Sequence, residues 1–121
     1  MERLDEFQEG AMSTAIWKKK YNIIYTALGL ASEAGEVAGK VKKVLRDNDG
    51  AFTSEKKREI ADELGDVLYY VAAVAHDMGY KLSEIAEMNH AKLASRKARG
   101  VIQCSGDNRQ DYEVYCKCFV R

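Results

Sequence analysis

Proline is missing altogether from this chain of 121 residues. Without it no helix interior carries a fixed kink or a missing donor, which suits long uninterrupted helices. Cysteine is scarce: Cys104, Cys116 and Cys118 are the three, all near the C-terminal end. An odd count confined to one end argues against a disulfide framework. Cys116-x-Cys118 has no following His or Cys pair to complete a soft-metal site, so the thiols are read as free. A surplus of either charge is lacking too, since 19 Lys plus Arg balance 19 Asp plus Glu. That balance excludes the basic excess of a general nucleic-acid binder. No apolar run nears the roughly 20 residues of a membrane span. The opening Met1-Glu2-Arg3-Leu4-Asp5-Glu6 has no signal-peptide pattern. The expectation is a cytoplasmic protein with neither a membrane nor a nucleic acid as partner.

What is present is helical periodicity over a length that suits one domain. Residues 2–18 are predicted as a first helix, with Leu4, Phe7, Ala11, Ala15 and Ile16 on its apolar side. Residues 21–45 form a second, in which Ile24, Leu28, Ala31, Gly35, Ala38 and Val41 recur at helical spacing. Asp47-x-Asp49-Gly50 opens like a calcium loop, but the closing Glu is absent, so a plain loop is expected. Thr53 or Ser54 caps a third helix that runs to about Asp77 and stops at Gly79. Its apolar face (Ile60, Leu64, Val67, Leu68, Val71, Val74, Ala75, Met78) is wide enough for burial on more than one side. Ser83 is expected to cap a fourth helix ending near Ala98, before Gly100. The expected fold is all-α, a four-helix bundle over residues 1–100, with residues 101–121 an irregular tail. The short connection between helices two and three predicts antiparallel packing.

Chemistry enters with the acids. Glu33 and Glu36 lie three apart on the second helix, and Glu63 and Asp66 lie three apart on the third. Side chains at that spacing share a helix face, one turn apart. Leu30 and Val37 flank the first pair, and Ile60 and Val67 the second, so each pair sits at the edge of a core. Four converging carboxylates need a positive partner. An all-oxygen set selects a hard divalent ion, Mg2+ with Mn2+ as substitute. Redox iron is disfavoured, because Glu87-x-x-His90 has no second copy. A hard cation in a small bundle points to phosphate chemistry. Helix four supplies the matching groups: Asn89, Lys92 and Arg96 recur along one face.

Ser32-Glu33-Ala34-Gly35-Glu36, then Glu63-Leu64-Gly65-Asp66, then Asn89 through Arg96, together resemble the MazG-like nucleoside triphosphate pyrophosphohydrolases. These belong to the all-α NTP pyrophosphatase superfamily, with dimeric dUTPases and dCTP pyrophosphatases as relatives. The resemblance spans roughly residues 8–109, including Gly106-Asp107-Asn108-Arg109. It implies that Glu33, Glu36, Glu63 and Asp66 ligate Mg2+ and that Asn89, Lys92 and Arg96 hold sugar and phosphates. Glu36 or Glu63 would act as the base on water. The reaction implied converts a nucleoside triphosphate and water to the monophosphate and pyrophosphate, in housecleaning or control of nucleotide pools. Homodimers or homotetramers are expected on the same ground. The family pattern often begins with two adjacent acids, and here Ser32 stands at the first. Phe7, Gln8, Trp17 and Asn22 are candidates for the base pocket, with ordinary packing the preferred role of each. The alternative function is a non-catalytic nucleotide or alarmone sensor using the same metal and phosphate groups.

Overall fold

The computed structural model describes residues 3–102. Its elements are α1 (Leu4–Met12), a 3-10 turn (Lys19–Tyr21), α2 (Ile24–Asn48), α3 (Ser54–Asp77) and α4 (Leu82–Ala98). Among the described residues there is no strand, so the all-α class holds. No described helix is long and apolar enough to cross a membrane. The chain divides between Ser83 and Glu84 into two compact units. The first contains α1, α2 and α3, with α3 packed against both others. The predicted tail, with its three cysteines, lies outside the described residues apart from Val101 and Ile102.

The pairing of α2 with α3 is antiparallel. Thr26 meets Asp77, Gly29 faces Tyr70, and Lys40 meets Glu63, so the register falls on α3 as it rises on α2. Thr53 caps α3 as expected, its hydroxyl accepting from the Lys56 N–H at 3.2 Å. Such a cap contributes about 1 kcal/mol. At the far end Gly79 adopts φ +82°, the left-handed region that a glycine enters without steric penalty. There the Tyr80 N–H closes back on the Ala75 carbonyl at 2.8 Å. The core of the first unit is built of small groups where helices approach, with Ala72, Ala73 and Ala75 of α3, Ala11 of α1 and Val44 of α2 buried.

The first helix is shorter than its periodicity predicts. It stops at Met12 because Ser13 and Thr14 turn their hydroxyls onto the carbonyls of Gly10 and Ala11, at 2.5 and 2.8 Å. Hydroxyl side chains compete in this way with the helix ladder. Ala15 and Ile16 therefore do not continue the apolar stripe, and Ile16 is 92% exposed. Gln8 takes the packing role preferred for it. It is buried, and its amide donates to the carbonyls of Ala72 and Tyr80, both at 3.0 Å. Its oxygen accepts from the Leu82 N–H at 3.1 Å.

Helix entries also differ in detail. α4 begins at Leu82, so Ser83 is not its cap. Instead Asp5 of α1 accepts from the Ser83 N–H at 2.9 Å and from its hydroxyl at 2.8 Å. Those bonds, with the charge of Lys81, hold the Asp5 carboxyl below the usual aspartate range. α2 begins after Ile23, a β-branched residue at φ +70°. That conformation is strained for such a side chain. Asp77 holds it: Oδ2 accepts from the Ile23 N–H and from the Thr26 hydroxyl, both at 2.9 Å. The Asp77 side chain is only 3% exposed.

Candidate metal centre and nucleotide pocket

Glu33 on α2 and Glu63 and Asp66 on α3 each offer a carboxylate oxygen, and these oxygens lie within 4.8 Å of one another. Oxygens bound to one Mg2+ at about 2.0–2.1 Å lie at most about 4.2 Å apart. The three acids therefore need at most a small closing movement to share a hard cation, and the all-oxygen donor set fits one. Glu33 and Glu63 are half-buried and Asp66 is exposed. The site thus has a core side and a solvent side. Burial raises the Glu33 carboxyl above its usual range, and the nearby charges of Asp66, Glu63 and Glu36 add to the effect. Glu33 carries the crowding of like charge.

Glu36 stands outside this group of three. It lies on α2, one turn beyond Glu33, with its side chain exposed. It is near enough to act on Glu33 electrostatically. The next residue on that face is Lys40, whose Nζ lies 3.3 Å from Oε1 of Glu63. Lys40 was missed by the sequence reading, though its signal is present: it follows Glu33 by seven residues, two helical turns along one face.

A cavity of about 330 Å3 opens on two of these carboxylates. Glu33 and Asp66 form part of its wall, with Thr14, Ile16, Trp17, Tyr25, Tyr69 and Tyr70. Trp17 stacks on Tyr25, ring centroids 5.2 Å apart at 18°. Tyr69 and Tyr70 meet edge to face at 5.2 Å and 82°. Thr14 Oγ1 and the Tyr69 hydroxyl share a hydrogen bond of 3.0 Å. Burial raises the Tyr70 phenol above its usual range, and a hydrogen bond with Tyr25 adds to it. Flat aromatic walls with a few hydroxyls suit a planar ligand.

Of the sequence candidates for a base pocket, Trp17 lines this cavity. Phe7, Gln8 and Asn22 do not, and Gln8 is committed to backbone bonds. The tyrosines carry a signal that spacing contained. Tyr69 and Tyr70 follow Asp66 by three and four residues, and Tyr25 precedes Glu33 by two turns. Gly29 stands midway between Tyr25 and Glu33, and a Cβ there would collide with the Tyr70 ring. Its lack of a side chain makes room for that ring against α2.

Asn89, Lys92 and Arg96 lie on α4 within the second unit. Asn89 and Lys92 are exposed, whereas Arg96 is buried.

Fold and site together define an all-α protein in which an antiparallel helix pair presents clustered acids beside an aromatic cavity. The family model for the MazG nucleotide pyrophosphohydrolase domain matches residues 23–101, and the chain belongs to that family. It is similar to the Gene 37 protein of Mycobacterium phage L5, 46% identical over 112 residues that cover 88% of this chain and 98% of the relative. That name states no activity. No solved structure matches. The matched span begins at Ile23, so Thr14, Ile16 and Trp17 of the cavity come from a segment before it.

Proposed function

We propose that the chain is a Mg2+-dependent nucleoside triphosphate pyrophosphohydrolase. It would convert an NTP or dNTP and water to the nucleoside monophosphate and pyrophosphate. The observation that carries this reading is the sharing of Glu33 and Asp66 between the carboxylate group and the aromatic cavity. A nucleotide needs such a juxtaposition, a cation site for its phosphates within reach of aromatic walls for its base.

Glu33, Glu63 and Asp66 would hold Mg2+, or Mn2+ in its place. When bound, the ion would neutralise the triphosphate and polarise the phosphorus under attack. Glu36 is the carboxylate left outside the group, and it would take the proton from the attacking water. Glu63, engaged by Lys40 and by the cation, suits that role less well than the sequence alone suggested. Trp17, Tyr25, Tyr69 and Tyr70 would position the base by stacking. Asn89 and Lys92, with Arg96 as the buried cation of the set, would bind sugar and phosphates. The exposed Ile24 and Leu28 of α2, and Leu64 and Leu68 of α3, support contact between copies as a homodimer or homotetramer. The setting proposed is cytoplasmic, in housecleaning or control of nucleotide pools.

The experiment is product analysis over a panel of canonical and modified triphosphates with Mg2+. The expected result is stoichiometric monophosphate and pyrophosphate from at least one. Metal-dependent binding with no product would contradict hydrolysis and make the chain a nucleotide sensor.

A further inference from the structure

Three carboxylates within 4.8 Å of one another repel strongly unless a positive charge is near. Lys40 brings one. Its ammonium lies 3.3 Å from Glu63, and the two side chains are 31% and 19% exposed. This pair differs from its neighbours in reach. Arg46–Asp47, Lys56–Glu59 and Arg58–Asp62 each join residues within four positions on one helix. Lys40 instead crosses from α2 to α3 and lands on a member of the carboxylate group.

We propose that Lys40 is a resident counter-cation of this site: it holds Glu63 while metal is absent and competes with the metal for it. The inference rests on the reading of Glu33, Glu63 and Asp66 as a divalent-cation site. A carboxylate oxygen turned to an ammonium must change partner, or share it, when a divalent ion binds. The metal-free cluster is then kept assembled by charge already in the chain, and metal affinity is lowered by the strength of the pair. The lysine reaches the cluster from the helix that supplies Glu33, so the helix pair carries both the repulsion and its remedy.

The test is a titration of the full chain with Mn2+ alone, bound ion being counted from the loss of the free-ion magnetic resonance signal. Lys40→Met is expected to bind Mn2+ roughly two- to fivefold tighter than wild type, the range of a partly exposed ion pair. Lys40→Arg is expected to keep wild-type affinity. The gain should fall away when Lys40→Met is made on a Glu63→Gln background, because the contested carboxylate is gone. Lys43→Met, which removes an exposed charge from the same helix, controls for net charge and should leave affinity near wild type. Lys40→Gln repeats the measurement if the methionine variant does not keep its helical circular dichroism. Unchanged or weaker Mn2+ binding in Lys40→Met and Lys40→Gln overturns the proposal, as does a gain that persists in full without Glu63. Those results leave the metal site standing. Failure of the wild type and both variants to take up Mn2+ overturns the metal reading as well.

Discussion

Gly29 shows how much one missing side chain decides. Along α2, Tyr25, Gly29 and Glu33 fall at four-residue intervals, so a cavity residue, a gap and an acid of the carboxylate group share a face. Tyr70 fills the gap, and its ring is thereby held between Tyr25 and the carboxylates. Gly29→Ala gains about 1 kcal/mol of helix propensity. It also forces the Tyr70 ring or the helices apart, an overpacking that costs about 1–3 kcal/mol. The net effect expected in urea unfolding is destabilisation in the wild-type background and stabilisation in a Tyr70→Ala background, where the ring is absent. An equal effect in both would show that Gly29 and Tyr70 are not coupled. Glu33 is the other residue under tension. It is placed where burial and three neighbouring acids oppose its charge. Such placement makes little sense for stability alone and is typical of functional carboxylates.

At the scale of elements, the first unit is tied together by acids acting as acceptors at helix starts. Asp77 is the clearest. It lies at the end of α3 and receives the Ile23 N–H and Thr26 hydroxyl at the start of α2. Asp77→Ala would leave both donors without that acceptor at a strained backbone position. The expected cost is about 1–3 kcal/mol in equilibrium unfolding. Asp5 does the same for the first residues of α4, and there the contact carries a pH signature. Its carboxyl is held below the usual aspartate range, first by the Ser83 N–H and then by the Ser83 hydroxyl. A folded state that binds the proton less tightly than the unfolded chain is favoured when the group is ionised. The contribution is therefore whole above the ordinary aspartate range and is lost as pH falls through the lowered folded value. Asp5→Asn should flatten stability against pH in that acid window and leave the slope at neutral pH unchanged. Stability profiles of the two proteins from pH 2 to 7 check this, and identical acid slopes would contradict it.

For the whole molecule, what was legible in the sequence was what local geometry dictates. The spacing of Glu33 and of Glu63 with Asp66 needs only helical periodicity, and the Thr53 cap and Gly79 stop mark α3 closely. The all-α class and the family followed from the same residues. What was not legible depends on distances between helices. The bonds by which Ser13 and Thr14 end α1 are local, but nothing local says that the segment after them brings Trp17 onto Tyr25. Gln8 reads as a polar residue on a helix, and only the carbonyls of Ala72 and Tyr80 make it an anchor. Lys40 and the tyrosines sit at suitable spacings from the acids, but spacing on one helix does not reveal which residue meets them from the other. The cavity itself joins residues from before the family-matched span to residues within it. Such a site becomes visible only once α2 and α3 are paired.

On the proposed function, one set of carboxylates would serve both a cation and a nucleotide lodged in the aromatic cavity. Asp66 tests it most directly, because it belongs to both groups and is exposed, so its loss leaves the core intact. The measurement is the rate of pyrophosphate release by Asp66→Asn and wild type across a Mg2+ titration, on whichever triphosphate wild type turns over. A fall in rate of at least about 10–100-fold, with more Mg2+ needed for half-maximal release, is the outcome expected of a lost metal ligand. Wild-type rates and Mg2+ dependence in Asp66→Asn, with its helical content intact, would contradict the account.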